Sequence, residues 1–564
     1  MALVVSTLAS CSSDNVMEGI TEPTVPTGVD TYASFKFRVE GGTLSRGADM
    51  VTDEGLNDAT VNDLRLLIFS GENGMAGKLL TNTLVETNKT ATIVTTSGSK
   101  RIYVIANTKG KTQIEDKLVT LTVNASTLQE FYALMTDGKY TGTTTDDKMG
   151  EGFGELFTDG KFVMSNVADI TSLKVLQPGI TKEQSEGASG TETERAKLNN
   201  FNFTVFRAIA KGNLTIKLKE AELQTSNGIF QLKPDASYGV RNVNRSTLYV
   251  QQYASDNVTA GIADHHTAGG IRPYAAYYNV FDNTSDADMM KLETYTPYFY
   301  RGYAIKPQGA NLSELQAQPV TIFKNTETAK AGKTVFFSGN SNNRQVRGNT
   351  TYIGITTQVA KIEAKNIVAS VSYDQNTNKF TTTAAQADYD NTDGDKSFWY
   401  IREIPADMID KIVDSKVGRI FVNEDVAFDA MIVIWNNLKT VNTPAITTAA
   451  NLKTAYNNYK AGNGTPILTA AEADILEQHL GFYENGRSYY RLNIYEKTDD
   501  DYKRHLIRRN HIYQAMVTGF ATIGEPTEED LDKDPEKPVD ADVTNVTATI
   551  TVATWHTVDM EDDL

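Results

Sequence analysis

A strict alternation of apolar and polar side chains marks the segment 32–40. Its apolar positions are Ala33, Phe35, Phe37 and Val39. Because successive side chains of a strand point to opposite faces, this period of two predicts a β-strand with one buried face. We expect this first strand to supply part of a hydrophobic core.

A second alternation lies near the other end of the chain, within residues 543–555. Its apolar positions are Val546, Ala548, Ile550 and Val552, and threonines stand between them. Residues 525–542 before it are rich in proline and acid, which predicts a solvated, extended linker. The strand has two open interpretations: it folds back onto its own domain, or it completes the sheet of a neighbouring molecule. Four buried apolar side chains would contribute about 6–12 kcal/mol.

The region between the two ends reads mainly as strands and turns, with helices in the second half. We predict buried strands over 62–69 and 100–106, and two strands within 201–218 around Lys211-Gly212-Asn213. Helical spacing predicts a helix over 125–136 with Ser126 as N-cap, and others over 404–417, 426–438 and 447–460. A domain boundary is expected after residue 253, where the aliphatic pattern lapses.

Two features near the N-terminus indicate processing. An apolar stretch ends in Leu8-Ala9-Ser10-Cys11, which resembles the lipobox of bacterial lipoproteins and marks Cys11 for a lipid. After the first strand, a glycine-bearing loop carries Arg46 and Gly47, and such loops are where trypsin-like proteases cut. Arg38 is a competing site, but it lies inside the predicted strand.

The composition narrows the class of protein. The formal net charge is −17, so no global field attracts nucleic acid, and 40% hydrophobic residues argue against wholesale disorder. Cys11 is the single cysteine, which rules out a disulfide framework and a cysteine-based zinc site. The acidic run 388–395 lacks EF-hand spacing, and His265-His266 has no ligand partner pattern. We therefore expect no catalytic residues, no metal and no cofactor.

Several short motifs resemble one bacterial family. The stretch 486–526 resembles the C-terminal signature of the Bacteroidales fimbrillins, the subunits of type V pili, and the order looks most like the shaft subunit of the short fimbriae. The matching motifs are Tyr489-Tyr490-Arg491, Arg509-Asn510-His511-Ile512-Tyr513 and Ile523-Gly524-Glu525-Pro526, with Arg101-Ile102-Tyr103-Val104-Ile105-Ala106-Asn107, Arg207-Ala208-Ile209-Ala210-Lys211 and Gly348-Asn349-Thr350-Thr351-Tyr352 upstream.

The resemblance implies a mainly β chain with two transthyretin-like β-sandwich domains in tandem, the second carrying the inserted helices. It implies export as an outer-membrane lipoprotein precursor with palmitate on Cys11, and cleavage between Arg46 and Gly47 by an Arg-specific protease. The C-terminal strand of one subunit then enters the groove that the first strand of the next has left. The expected division is a signal segment 1–10, a propeptide 11–46, sandwich domains 47–253 and 254–524, a linker 525–542 and a donor strand 543–564.

The expected function is therefore that of a structural shaft subunit of a cell-surface fimbrium, not an enzyme. The implied partners are further copies of the chain, anchor and tip subunits, the extracellular protease, and receptors on host or bacterial surfaces. Two alternatives stay open: a tip or anchor subunit, and a monomeric glycan-binding surface lipoprotein. A shaft subunit should form a ladder of oligomers after mild trypsin treatment, whereas a binding lipoprotein should not.

Overall fold

The computed structural model describes the following residues of the chain: 25–39, 61–71, 74–85, 90–135, 138–139, 157–158, 161–168, 172–216, 224–233, 236–241, 243–244, 246–247, 249–252, 299–300, 320–321, 335–337, 347, 350–374, 376–377, 379–404, 419–438, 446–462, 467–495, 505, 507, 509–532, 537, 539 and 545–554. Within these ranges, none of the helices is both long and apolar enough to cross a bilayer.

Strands dominate the described residues. They are β1 Asp30–Val39, β2 Leu64–Ser70, β3 Leu79–Val85, β4 Thr90–Thr96, β5 Gly98–Ala106, β6 Gly138–Lys139, β7 Phe157–Thr158, β8 Lys161–Phe162, β9 Met164–Ser165, β10 Val167–Ala168, β11 Leu173–Leu176, β12 Asn200–Arg207, β13 Ala210–Ile216, β14 Phe230–Leu232, β15 Ser237–Arg241, β16 Val243–Asn244, β17 Ser246–Thr247, β18 Gln251–Gln252, β19 Phe299–Tyr300, β20 Val320–Thr321, β21 Val335–Phe337, β22 Tyr352–Ile362, β23 Val368–Asp374, β24 Lys379–Ala384, β25 Tyr389–Asp390, β26 Phe398–Ile401, β27 Ile420–Phe421, β28 Leu480–Tyr483, β29 Arg487–Asn493, β30 His511–Phe520 and β31 Val546–Thr554. The helices are α1 Thr112–Val119, α2 Leu128–Met135, α3 Lys182–Glu186, α4 Glu192–Ala196, α5 Glu424–Leu438, α6 Ala449–Lys460 and α7 Ala470–His479.

The first half of the chain forms a β-sandwich. One layer holds β4, β1 and β12, the other holds β3, β2, β5 and β11, and the short β9 bridges β12 to β5. Side chains from both layers, such as Phe35, Leu66 and Val104, belong to one buried cluster. Since β2 and β5 carry continuous apolar runs, the buried strands predicted over 62–69 and 100–106 are confirmed.

The second sandwich begins where the chain leaves β12. One of its sheets has the order β21, β13, β30, β31, and the other is built on β22, which pairs with β14, β15, β25 and β29. Because β13 pairs in parallel with β30, the chain enters the second set of sheets at Ala210. This differs from the expected division after residue 253, since β13, β14 and β15 all pair with strands beyond residue 319.

A helical layer with its own apolar core is inserted in the second half. Helices α5, α6 and α7 bury Trp435, Leu452 and Leu476 against β23 and the sheet β27, β26, β28. The mainly β fold with helices in its second part is therefore confirmed, as are the helices predicted over 426–438 and 447–460. The helix predicted over 404–417 lies almost wholly outside the described residues.

Two local predictions need correction. Helix α2 is capped by Thr127, whose hydroxyl accepts from the Glu130 amide at 3.3 Å, and not by Ser126. The strands within 201–218 are separated at Ala208 and Ile209, not at Lys211 to Asn213. Gly212 continues as strand because β21 and β30 pair with β13 on both sides, and the turn was hidden because Ala208 and Ile209 are buried like strand residues.

The junction between β12 and β13 depends on one asparagine. Asn510 has a positive φ of 57° and is buried. Its Oδ1 accepts from Nη1 of the fully buried Arg207 at 2.8 Å, and its amide donates to the Ile209 carbonyl at 2.8 Å.

We predict that Asn510→Ala lowers the free energy of unfolding by about 2–4 kcal/mol, because it removes a buried acceptor and leaves a left-handed residue without the polar side chain that makes asparagine tolerable there. Asn510→Gly keeps the backbone conformation and should cost less, about 1–3 kcal/mol. Urea unfolding of the full chain measures both. Equal and negligible losses for the two variants would contradict this role.

Candidate functional site

The first strand lies in the interior of its sheet and not at the edge. On one side β1 pairs in parallel with β12, from Ser34 opposite Asn200 to Val39 opposite Val205. On the other side it pairs antiparallel with β4, from Asp30 opposite Thr96 to Lys36 opposite Thr90. The removal of β1 would therefore leave a groove between two unpaired strand edges.

The predicted inward face of β1 is confirmed as a buried face. Ala33 and Phe35 are fully buried, Phe37 is 4% exposed, and Val39 packs at the margin of the core. The Phe35 ring lies 6.2 Å from the Phe201 ring, and the Phe37 ring lies 6.4 Å from the Phe203 ring. A strand in this groove therefore fills an aromatic cavity as well as completing two ladders.

The N-terminal half of β1 is also held by polar contacts. Asn199, which is fully buried at φ 51°, donates from Nδ2 to the Thr31 hydroxyl at 2.9 Å and to the Tyr32 carbonyl at 3.1 Å. Its carbonyl accepts from the Ser34 amide at 2.9 Å. Asn199 is not among the residues predicted from the sequence. The available signal was the pair Asn199-Asn200 before an alternating strand, since asparagine adopts the left-handed region more easily than most residues.

The polar face of β1 is only partly open to solvent. Lys36 and Arg38 are exposed, but Ser34 is 1% exposed, and its hydroxyl lies 3.0 Å from that of Thr92. Arg38 pairs with Thr204 in the ladder, and its Nε donates to the Thr204 hydroxyl at 2.9 Å. A protease that needs an extended, unpaired substrate could cut at Arg38 only after local unfolding of β1.

The C-terminal strand occupies a different kind of position. β31 runs antiparallel to β30, from Val546 opposite Phe520 to Thr554 opposite His511. Among the described strands β30 is its one partner, so β31 forms an edge of that sheet. Val546 is 4% exposed, whereas Ala548, Ile550 and Val552 are half-buried against the core. In this structure β31 thus lies on its own chain, as the first of the two interpretations has it.

Two buried tyrosines hold the chain just after β30. Tyr483 Oη donates to the Gly524 carbonyl at 2.7 Å, and Tyr490 Oη donates to the Thr522 carbonyl at 3.1 Å. Burial raises the pKa of both hydroxyls, that of Tyr490 to about 12, so both remain protonated donors near neutral pH. Gly524 is required here, because a Cβ would meet the Tyr489 carbonyl oxygen at 2.2 Å.

The expectation of a solvated, extended linker over 525–542 is corrected for residues 525–532, the continuous part of it that the structure describes. Glu525 exchanges two backbone hydrogen bonds with Tyr489, at 2.7 and 2.8 Å. Pro526 is buried, Leu531 is 2% exposed, and residues 529–532 form a turn of 3₁₀ helix. The prediction from composition was wrong because the acidic side chains do not all face solvent. Some of them pair with arginines of the body, as Glu528 does with Arg241.

The remaining predicted sites lie outside the described residues or show no cluster. Cys11, Arg46, Gly47 and the pair His265-His266 fall outside them. In the acidic run, Asp388 pairs with Lys361 and Asp390 accepts from Thr392. The described part of the chain contains no group of three or more His, Cys, Asp or Glu residues placed to hold a metal ion.

Two family models match the chain: the major fimbrial subunit protein (FimA) over residues 32–166, and the C-terminal fimbrillin model of the type IV major fimbrial subunit protein over residues 481–561. The two matched stretches support a fimbrial subunit of the cell surface. The first match contains β1 from Tyr32 onward, and the second contains all of β31.

Solved structures of similar proteins come from Bacteroidales. The fimbrillin FimA of Porphyromonas gingivalis W83 is 13% identical, with 93% of this chain and 98% of that one covered at a TM-score of 0.38. A candidate cell adhesion protein of Parabacteroides distasonis is 11% identical, with 94% and 98% covered and a TM-score of 0.39. The tip fimbrial protein Mfa3 of P. gingivalis is 10% identical, with 92% and 99% covered and a TM-score of 0.31. No curated protein matches the chain.

We predict that Phe35→Ala lowers the free energy of unfolding of the uncut chain by about 3–5 kcal/mol, because a fully buried ring is deleted between two layers. Lys36→Ala, one position along on the exposed face, should change it by less than about 0.5 kcal/mol. Urea titration followed by tyrosine and tryptophan fluorescence measures both. Similar small effects for both variants would contradict the burial of β1 as a central strand.

Proposed function

We propose that the chain is the shaft subunit of its fimbrium and polymerises by donor-strand exchange. One observation carries this proposal. β1 and β31 share the same alternating apolar pattern, but β1 is a central strand that forms two ladders, whereas β31 is an edge strand that forms one. In the proposed polymer, the neighbour's β31 occupies the position between β4 and β12 that β1 has left. The chain's own β31 serves the next subunit in the same way.

The pairing and burial of the two positions favour transfer of β31 from the edge beside β30 into the groove between β4 and β12. On its own sheet β31 has nine residue pairs with β30, whereas the strand between β4 and β12 has six pairs on one side and seven on the other. Three of its four inward side chains are only half-buried on β30, while Ala33 and Phe35 of β1 are fully buried. A strand that moves from the edge into the groove therefore gains both ladder hydrogen bonds and apolar burial.

Cleavage determines when polymerisation can begin. While β1 is covalently attached it fills the groove, so polymerisation is blocked during export. The proposed processing is lipidation of Cys11 with removal of residues 1–10, followed by an extracellular cut between Arg46 and Gly47 that frees residues 11–46 with β1. An Arg-specific protease and the anchor and tip subunits are the proposed partners, with receptors on host or bacterial surfaces beyond them. The precursor is proposed to be held in the outer membrane by its lipid.

We predict that Arg46→Ala prevents filament formation on the cell surface, because β1 then stays in the groove. Arg38→Ala is the matched control and should leave filaments normal in length. Electron microscopy of cells scores the filaments, and N-terminal sequencing of filament protein should give Gly47 as the first residue. Filaments of normal length from the Arg46→Ala strain would refute the assignment of the cut.

We predict that a disulfide between Ala515→Cys and Ile550→Cys blocks polymerisation, because it fixes β31 to β30. The two residues face each other in the antiparallel ladder, which brings their Cα atoms within the range a disulfide allows. With Cys11 replaced by Ser, the chain has no other thiol. The oxidised protein should remain monomeric on size-exclusion chromatography after mild trypsin treatment.

Reduction of the same sample is the internal control and should restore an oligomer ladder. An oxidised protein that polymerises as fast as the reduced one would show that β31 is not the donor. A reduced protein and an unmodified chain that both stay monomeric would favour the glycan-binding lipoprotein instead. A tip subunit would accept a donor strand from unmodified chain without extending the ladder.

A further inference from the structure

Four arginines from other parts of the chain contact the described residues 525–532 and Lys537. Arg241, which is 4% exposed, donates to the Glu528 carboxylate from Nε and Nη2. Arg402 pairs with Glu525 and lies 3.9 Å from the Asp530 carboxylate. The two arginines are largely buried, with side chains 5% and 16% exposed, whereas the side chains of Glu528 and Glu525 are 23% and 36% exposed.

The other two arginines hold the backbone of the same segment. Arg347 donates from Nη2 to the Leu531 carbonyl at 2.8 Å, and Arg491 donates from Nη1 to the same oxygen at 3.2 Å. The Arg491 guanidinium also lies 3.8 Å from the centre of the Tyr352 ring, which fixes its orientation. The Leu531 carbonyl is thus bound from two sides.

The attachment extends beyond Leu531. The Arg347 amide donates to the Lys537 carbonyl at 2.9 Å, and the side chain of Val539 is 2% exposed. Leu531, also 2% exposed, provides a second apolar anchor. Nothing in these contacts involves β31, which begins seven positions after Val539.

The position of the last anchor decides how far β31 can travel. Only residues 540–545 separate Val539 from Val546, a span of at most about 25 Å when fully extended. If the chain were released from Glu525 onward, the same strand could reach about 75 Å from the body. Attachment at Val539 and release from Glu525 would give very different polymers. The shorter connection keeps the neighbour's groove close to the subunit that donates β31.

We propose that Arg241, Arg347, Arg402 and Arg491 form an arginine clasp that keeps residues 525–532, with Lys537 and Val539, on the subunit body when β31 leaves. The clasp, and not the contact with β30, then holds the base of a donated strand, and the reach of that strand is set by the chain length between Val539 and Val546. This deepens the donor role of β31 and rests on it. The independence of the clasp from β31 can be measured in the unpolymerised chain as well.

Hydrogen–deuterium exchange on three full-length precursors tests the clasp. Ile550→Asp places a charge on the inward face of β31 and should detach it from β30, so that amides of 546–554 lose protection. Amides of 525–532 should keep the protection of the unmodified chain within a factor of about three. Adding Arg241→Gln and Arg402→Gln to the Ile550→Asp chain should lower the protection of 525–532 by about tenfold or more.

The matched control replaces two lysines in exposed ion pairs elsewhere, Lys361→Gln and Lys453→Gln, in the same Ile550→Asp chain. It should leave the exchange of 525–532 unchanged. The clasp is refuted if 525–532 loses protection together with 546–554 in the Ile550→Asp chain, because the whole C-terminal segment then detaches as one unit. If the unmodified chain fails to polymerise after cleavage, the donor role fails while the exchange result still decides the clasp.

Discussion

The fold depends on a strand between β4 and β12. That position completes a parallel ladder on one side and an antiparallel ladder on the other, and it fills the space in front of Phe201 and Phe203. An empty groove would expose two strand edges and the aromatic floor at once, which is a strongly adhesive surface. In the proposed assembly the groove is filled at both stages, by the chain's own β1 in the precursor and by a neighbour's β31 in the polymer.

The two ends of the chain are held in unequal ways. β1 is anchored by two ladders and by the buried amide of Asn199, whereas β31 rests on one ladder at a sheet edge. An edge strand with half-buried side chains separates more easily than a central one. The acidic segment before β31 is bound to the body through the ion pairs of Arg241 and Arg402. These contacts are compatible with the proposal that one chain keeps β1 in its groove before cleavage and donates β31 afterwards.

Alternation was enough to predict β1 and β31 with their inward residues, because a period of two leaves little choice of buried face. Composition failed for 525–542, since it cannot show that Glu525 and Glu528 meet arginines far away in sequence. Composition also gave no sign of Asn199, because this residue stabilises β1 through a hydrogen bond to Thr31, which lies 168 positions away in the sequence. Helix α7 was missed although Thr469 and Glu472 form a readable capping box. Local signals were sufficient for strands and insufficient for long-range polar contacts.

A structure of the mature filament by electron cryomicroscopy tests the central claim most directly, because it shows which chain lies beside Thr90–Thr96 and Asn200–Arg207. Our account predicts residues 546–554 of the neighbouring subunit in that position, with the donor's own residues 525–532 still on its body. Density for residues 30–39 of the same subunit in the groove, with 546–554 still on β30, would contradict it.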